Sequence, residues 1–368
     1  MQTRRVRLAG VGAVAVALGV ALVAPAGPVD ASTHSTYRQH NLVSDVPGQA
    51  QQTDPNLVNA WGASYSPTSP LWVSDNGTDV TTLYAGGIHG GPQTIRSLVV
   101  NIPGGAPTGQ VFNPTTSFVV HGADGSSGPA LFLFVGESGN LSGWNPNVPA
   151  STSTPPTTST DAQVAVSTPG AVDKGLAIGG PADAPMLYAA DFSAGTVDVY
   201  NGMFQRVITA GNFEDGQLPA HYAPFNISVL NDKVYVAFAK QNGKDELDGP
   251  GLGRVDIFTL DGKLVRRLGA HGVLNAPWGL TIAPAGFGEF SGDLLVGNFG
   301  DGRIHAFDPT TLAFRGTVRR GDGRAVSISG LWALLPGNGV EGGTDEVIFT
   351  AGPGGEAHGL LGTLALRH

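Results

Sequence analysis

Short hydrophobic segments alternate with turn-forming residues along most of the chain. Apolar and polar positions alternate with period two in segments such as GTVDVY (from Gly195), GRVDIF (from Gly253) and GRIHAF (from Gly302). Such alternation, bounded by Gly, Asp and Asn, is typical of β-strands joined by hairpin turns. The pattern therefore predicts an all-β protein built from many short strands.

One motif recurs six times: two apolar residues, a small residue and then usually a polar one. Successive copies lie 47 to 62 residues apart, and they end at Asp75, Glu137, Asp191, Phe238, Asn298 and Ala351. An apolar stretch precedes each copy, and a hairpin strand and a fourth strand follow it. In the second copy, Ser117–Val119 is the segment that we place at the first-strand position. A repeat of this length indicates propeller blades.

The last repeat lacks a fourth strand, and a matching segment lies near the other end of the chain. YRQHNLVSDVPG (from Tyr37) resembles the fourth strand TIRSLVVNIPG (from Thr94). Pairing it with the last unit would close the ring and remove an exposed sheet edge. We predict a six-bladed β-propeller of four-stranded blades rather than two separate β domains, because no linker divides the chain. The blades are expected at about 57–103, 108–168, 171–211, 221–269, 275–320 and 326–368, the last completed by 37–45.

Residues 1–31 have the three parts of an export signal. Arg4, Arg5 and Arg7 form a basic start, an apolar run follows, and small-x-small sites end at Ala26 and Ala31. A single membrane anchor is the alternative, but the Ala- and Gly-rich run and the small residues after it favour cleavage. We expect a secreted, extracellular domain of residues 32–368 with no membrane span. The general and twin-arginine export routes both stay open.

The amino-acid composition argues against several classes of function. The chain has 55 Gly and 26 Pro, only 13% charged residues and a net charge of -9. The acidic balance argues against nucleic acid as a partner, because nucleic-acid binders need a basic face. Cys is absent, which excludes thiol catalysis, Cys-zinc sites and disulfides. A Thr-, Ser- and Pro-rich stretch from Asn147 predicts a solvated loop between the third and fourth strands of the second blade.

Two segments resemble known proteins. PWGLTIAP with GDLLVGNFGDGRIHAFDP (from Pro277) resembles an NHL-type propeller repeat. NLVSDVPGQAQQTDPNLVNAWG (from Asn41) is similar to the opening of a family of exported, uncharacterised bacterial propeller proteins. Some members of that family carry a C-terminal PEP-CTERM sorting tail, whereas this sequence reaches His368 without an added apolar segment and basic cluster. The resemblance implies the fold and export but no activity.

Polar residues at the ends of the repeated motif mark one face of the predicted ring, which we call the motif face. Asp75, Glu137, Asp191 and Asn298 end the motif in four blades. The loops between blades open on the same face and add further candidates: Asp54, Asp173, Lys174, Asp215, His221 and His271. His358 falls in the last hairpin. We expect function at the channel mouth on this face.

These oxygens support two interpretations. Carboxylate and amide oxygens suit Ca²⁺ or another divalent cation, and Glu137, Asp191 and Asn298 would be its ligands in a lactonase- or esterase-type hydrolase. Alternatively, Asp75, Asp191 and Asn298 only bond backbone groups in tight turns. Glu137 stands apart, because Glu rarely forms such turns. It is therefore the candidate metal ligand or catalytic general base.

Histidine and tryptophan add weaker candidates. His221 and His271 lie on adjacent between-blade loops, where they could meet a carboxylate or serve only at the surface or in packing. His89 and His121 are expected on the opposite face. Trp61, Trp278 and Trp332 recur at first-strand positions, which predicts packing between blades.

The sequence contains no Gly-x-Ser-x-Gly, His-Glu-x-x-His or Walker-type motif. We therefore favour an exported binding or scaffold propeller whose channel face recognises a small molecule, a glycan or a protein. The metal-dependent hydrolase is the alternative, and whether the protein is an enzyme stays open.

Overall fold

The predicted six-bladed β-propeller is confirmed. The structure, a computed structural model, describes Met1, residues 34–269 and residues 272–367. Six mainly antiparallel sheets follow one another along the chain, and the first strands of neighbouring blades contact one another around a closed ring.

Each blade consists of four main strands, which follow one another from the channel outward. Blades 1 to 3 comprise Ala60–Ser64, Leu71–Asp75, Val80–Gly86 and Gln93–Ile95; Pro107–Phe112, Phe132–Gly136, Asn140–Trp144 and Gln163–Ser167; and Asp173–Gly179, Met186–Asp191, Thr196–Asn201 and Arg206–Val207. Blades 4 to 6 comprise Tyr222–Leu230, Lys233–Asn242, Gly253–Phe258 and Leu264–Arg267; Pro277–Ile282, Leu294–Asn298, Ile304–Phe307 and Phe314–Thr317; and Leu331–Pro336, Val347–Ala351, Leu360–Leu366 and Tyr37–Ser44.

Several short elements are added to the four main strands of the blades. Val100–Asn101 extends blade 1, Asp245–Leu247 extends blade 4, and Gln52–Thr53 pairs in parallel with the outer strand of blade 6. Val119–His121 and Ser127–Pro129 form a separate hairpin. Three single-turn 3-10 helices lie at Asn76–Thr78, Ile88–Gly90 and Gly288–Phe290.

The N-terminal strand closes the ring as predicted. Tyr37–Ser44 pairs antiparallel with Leu360–Leu366, and its register runs from Tyr37 opposite Leu366 to Ser44 opposite Leu360. Leu42 and Val43 are fully buried. The Tyr37 hydroxyl donates to the Phe287 carbonyl oxygen at 3.0 Å, which ties this strand to blade 5. Blade 6 therefore contains strands from both the N-terminal and the C-terminal part of the described propeller.

The prediction for the first strand of blade 2 was wrong. Pro107–Phe112 occupies that position, pairing with Phe132–Gly136, whereas Ser117–Val119 lies outside the blade sheet. Phe118 has a left-handed backbone with φ 60°, and its fully buried ring packs between blades 2 and 3. Phe118 was therefore mistaken for a first-strand residue because it is aromatic and buried. The true first strand was not recognised because it contains the polar residue Gln110.

Glycines let the first strands approach one another closely. A Cβ added at Gly62 would lie 2.3 Å from the Thr108 carbonyl oxygen, and one at Gly109 would lie 2.2 Å from the Leu176 nitrogen. Gly175 and Gly279 occupy the equivalent position in blades 3 and 5. A side chain at Gly62 or Gly109 would therefore require one of the two neighbouring strands to move.

The predicted export signal, apart from Met1, lies outside the described residues. Within the described part of the chain, no helix combines the length and the hydropathy that a membrane crossing requires.

Candidate functional site: the central channel

Three tryptophans fill the middle of the channel. Trp61, Trp278 and Trp332 occupy the same first-strand position in blades 1, 5 and 6. Trp61 stacks on Trp332 with 3.6 Å between ring centroids, and Trp278 meets Trp61 edge-on at 6.2 Å. Blades 1 and 5 are not neighbours, so this last contact crosses the channel. The three rings pack between neighbouring blades as expected, since Trp332 contacts both Trp61 and Trp278. Together they also form an aromatic plug in the channel.

Lys174 holds the equivalent position in blade 3, on the motif-face side of this plug. Its ammonium lies 5.0 Å from the centroid of the Trp61 ring, 2.6 Å from Glu137 Oε1 and 3.6 Å from Asp245 Oδ1. Its side chain is only 2% exposed. The sequence placed Lys174 in a loop between blades, but it belongs to the strand Asp173–Gly179, which carries it into the channel.

Further polar groups surround this pair. Asn76 Nδ2 lies 3.4 Å from Glu137 Oε2, and Asn59 Nδ2 donates to Glu356 Oε2 at 2.8 Å. Burial lowers the pKa of Lys174, but the charge and hydrogen bond of Glu137 outweigh it and hold that pKa above its usual value. Burial raises the pKa of Glu246 nearby to about 7 against the opposing charge of Lys174. Lys174 is therefore an ammonium paired with Glu137.

Asp191 bonds mainly within its own turn, whereas Asn298 bonds mainly to the loop between blades 4 and 5. Asp191 Oδ1 accepts the backbone N–H groups of Ser193 and Ala194, each at 3.0 Å. Asn298 Oδ1 accepts the Asn275 N–H at 3.1 Å, and its amide donates to the Val273 carbonyl oxygen at 2.9 Å. The contacts of Asp191 match the turn interpretation, and those of Asn298 fix the loop before Pro277 instead.

Glu137 has a separate set of partners, so the three proposed metal ligands bond in three different places. Across residues 34–269 and 272–367, no three His, Asp or Glu side chains are grouped so that they could hold a metal ion. A Ca²⁺ site shared by Glu137, Asp191 and Asn298 stays a prediction.

Asp75 belongs to a buried chain of hydrogen bonds in blade 1. Its Oδ2 lies 2.7 Å from the Thr82 hydroxyl, which lies 2.8 Å from the Tyr84 hydroxyl, and Tyr84 donates to Asp54 Oδ2 at 2.9 Å. Asp75 is fully buried, and burial raises its pKa well above the usual value. Thr82 donates to Asp75 and Tyr84 donates to Asp54, so this network links the end of the second strand of blade 1 to the segment before its first strand.

The meeting of His221 with His271 stays a prediction, because the structure describes His221 but not His271. His221 is exposed and has a left-handed backbone with φ 66°, and its carbonyl oxygen accepts the Gln241 N–H at 2.7 Å. His271 lies outside the described residues. His358 Nδ1 lies 2.9 Å from Asp45 Oδ2, which links the last hairpin to the segment after the outer strand of blade 6.

A cavity of about 410 Å³ opens on the other side of the plug, where the first strands end. We call this end of the ring the cavity face. First strands of all six blades line it, with one residue from each blade in the set Ser64, Gln110, Ile178, Ser228, Thr281 and Leu335. Trp278 contributes to its wall. The repeated motif does not reveal this cavity, because its polar ends lie on the motif face. The small residues near the start of each first strand were the available signal.

Ser64 lines the cavity, but its hydroxyl oxygen is itself buried. The residue is 7% exposed, and its hydroxyl has no hydrogen-bond partner among the described residues. The neighbouring Tyr65 hydroxyl donates to the Pro336 carbonyl oxygen at 2.6 Å.

Comparison with known proteins places the chain among viral relatives. No protein-family model matches the chain. Two uncharacterized proteins of Acanthamoeba polyphaga mimivirus are 34% and 33% identical over 355 and 352 residues, covering 93% of this chain and 83% and 88% of theirs. The chain belongs to the family of these mimivirus proteins. Its resemblance to exported bacterial propellers stays a prediction, because these relatives are viral.

Solved structures support the fold. A catalytically inactive virginiamycin B lyase from Staphylococcus aureus, crystallised with quinupristin, aligns with a TM-score of 0.50 and 12% identity, covering 91% of this chain and 100% of the lyase. At that identity the likeness shows the propeller fold and nothing about activity. A gluconolactonase from Xanthomonas campestris aligns with a TM-score of only 0.38, which carries no argument for the hydrolase alternative.

Proposed function

We propose that this propeller is a binding protein that takes a small molecule into the cavity at the cavity face. The observation that carries the proposal is the cavity of about 410 Å³ bounded by first strands of all six blades. Ligand pockets typically measure about 300–1,000 Å³ and are mainly apolar, with a few polar groups. This cavity has a volume in that range, and its wall is mainly apolar.

The walls support a preformed site. They consist of strands from a closed ring, whose close approach is set by glycines such as Gly62 and Gly109. The aromatic plug closes the inner end, with Trp332 fully buried. A rigid site loses little conformational entropy when it binds a ligand.

The proposal keeps the channel-binding role expected from the sequence but moves the ligand to the opposite mouth. Export of the binder is part of the proposal, and the basic and apolar N-terminal residues support it. Nothing in the geometry of the described residues favours the hydrolase alternative, because Asp191 bonds its own turn and Asn298 bonds the backbone of Val273 and Asn275.

Titration with the neutral fluorescent dye N-phenyl-1-naphthylamine tests the proposal. Its emission rises when it enters an apolar site, so we expect a saturable increase with one dye per chain. Ser228→Trp should abolish the increase, because Ser228 lines the cavity and an indole would fill it. Ser167→Trp is the matched control, because Ser167 is exposed on the outer strand of blade 2. Absence of saturable binding, or equal loss in both variants, would overturn the proposal.

A further inference from the structure

Two exposed arginines are neighbours on the outer part of blade 6. Arg38 lies opposite Ala365 in the antiparallel pairing of the outer strand. The Arg367 N–H donates to the Thr36 carbonyl oxygen at 2.8 Å, so the pairing continues to Arg367. Residues two apart on a strand share a face, and diagonal neighbours across an antiparallel pair are about 7–8 Å apart. Two positive side chains therefore lie on one face of this strand pair.

These two residues line a pair of adjoining cavities of about 290 and 500 Å³. Both cavities have Arg38 and Arg367 in their walls, and Arg320 of blade 5 lines the larger one. We call the two cavities, with these three arginines, the arginine groove. A Cβ added at Gly321 would overlap Arg367 Nη1, so the glycine gives the guanidinium room beside blade 5.

The acidic side chains of the groove already have partners. Asp345 Oδ1 lies 2.8 Å from His89 Nε2, and Asp322 Oδ2 lies 3.8 Å from Arg324 Nε. The side chains of the two shared arginines, by contrast, form no hydrogen bond or ion pair within the described part of the chain. The groove therefore has an excess of positive charge, although the net charge of the whole chain is -9.

The remaining ionisable side chains of the wall, His40 and Tyr37, add no negative charge. Burial lowers the pKa of His40; the charge of Glu346 opposes this, and the charges of Arg38 and His89 add to it. Burial raises the pKa of Tyr37, and its hydroxyl already donates to a backbone carbonyl oxygen. Glu346 is fully buried and accepts the backbone N–H of His89 at 2.8 Å.

An oxyanion fits this arrangement. A guanidinium group bonds to phosphate and similar oxyanions through two parallel N–H···O contacts, and an anion between two like charges removes their repulsion. We propose that the arginine groove binds a phosphate or sulfate group between the guanidinium groups of Arg38 and Arg367. The ligand is a compact anion, because a long polyanion would also meet the acidic remainder of the surface.

This inference goes beyond the proposed function and does not depend on it. The arginine groove shares no lining residue with the cavity at the cavity face. Failure of one site to bind its ligand therefore leaves the other untouched.

Calorimetric titration with inorganic pyrophosphate tests the proposal. We expect saturable binding at about 20 mM NaCl and weaker binding at about 200 mM, because salt screens exposed charges. Arg38→Gln and Arg367→Gln should each weaken binding about threefold to tenfold. Arg38→Lys should weaken it less than Arg38→Gln, because lysine keeps the charge but loses the paired contacts.

Lys244→Gln is the matched control. It removes one exposed positive charge from blade 4, which does not adjoin blade 6, and it should leave the affinity unchanged. Equal weakening by Lys244→Gln and Arg38→Gln would show that binding follows net charge alone, and it would overturn the proposal. Absence of saturable binding at low salt would overturn it too.

Vesicles distinguish a free phosphate from a lipid headgroup. Sedimentation would compare phosphatidylcholine vesicles with and without phosphatidate. Binding to phosphatidate vesicles that Arg38→Gln weakens would support the groove and assign a lipid source. Binding of pyrophosphate without vesicle binding would support the groove and assign a soluble source. Vesicle binding that Arg38→Gln and Arg367→Gln leave unchanged would count against the groove.

Discussion

The ammonium of Lys174 lies 2.6 Å from Glu137 Oε1, although the lysine side chain is only 2% exposed. The lysine comes from blade 3 and the glutamate from the turn after the second strand of blade 2. Their ion pair therefore links two blades at the channel mouth, and it neutralises a charge that would otherwise be buried alone.

Glu137→Gln should destabilise the protein. Removing one member of a buried pair leaves the other charge uncompensated, but Glu137 is 31% exposed and Asp245 lies 3.6 Å from the ammonium. We therefore expect the free energy of unfolding to fall by about 1–3 kcal/mol. Urea denaturation measures this change. Asp322→Asn, at an exposed ion pair with Arg324, should change it by less than about 0.5 kcal/mol. If both variants lost the same free energy of unfolding, the ion pair of Glu137 with Lys174 would not stabilise the fold as we expect.

Deleting the N-terminal strand should open the ring. A chain that begins at Val46 loses the pairing of Tyr37–Ser44 with blade 6 and the fully buried Leu42 and Val43. We expect a loss of at least about 3 kcal/mol in the free energy of unfolding. Replacing residues 151–158 with a Gly-Ser linker should cost little, because residues 152–158 are exposed. Thermal unfolding of both variants checks the difference. A neutral strand deletion would contradict ring closure.

The buried Glu341 predicts a pH dependence of stability. Burial raises the pKa of Glu341 to about 8 from a usual 4.5, and Gln93 donates to its Oε2 at 3.0 Å. The folded state therefore holds a proton that the unfolded state has already released. Stability from this group is full below about pH 4.5 and is lost as pH rises through about 8.

Glu341→Gln removes this proton and should flatten the pH dependence. We expect the unaltered protein to lose more stability than this variant between pH 5 and pH 8, as measured by urea denaturation. Glu214→Gln is the control, because Glu214 is exposed, and it should behave like the unaltered protein. Parallel curves for Glu341→Gln and the unaltered protein would show that Glu341 does not carry the effect.

Gly62→Ala should strain the contact between blades 1 and 2. The new Cβ would meet the Thr108 carbonyl oxygen at 2.3 Å, so one strand must move. We expect a cost of about 1–3 kcal/mol in the free energy of unfolding. Gly216→Ala is the matched control, because a Cβ there has no atom within 4 Å. If both variants were equally stable, the strands would not be in close contact.

The strand order of the blades could be predicted because each repeat carries its own pattern. Leu294–Asn298 and Ile304–Phe307, for example, follow the motif and the alternating hairpin strand that recur in other blades. The first strand of blade 2 could not be predicted, because Gln110 is polar and Phe118 is buried outside any blade sheet. The sequence pattern shows which residues are buried, but it does not show which strand they pair with.

The site was less predictable for a related reason. Glu137 and Lys174 were both placed on the motif face, but their contact depends on how blades 2 and 3 meet. The aromatic plug needs contacts between blades that are not neighbours, such as Trp61 with Trp278. The cavity depends on small side chains that leave space, and a linear pattern does not distinguish these from residues that only allow close packing.

A crystal structure of the protein with N-phenyl-1-naphthylamine tests the proposed site most directly. We expect the dye in the cavity, against the wall that includes Ser64 and Leu335, with the aromatic plug unchanged. Dye bound instead at the motif face, beside Glu137 and Lys174, would contradict the assignment of the cavity as the ligand site.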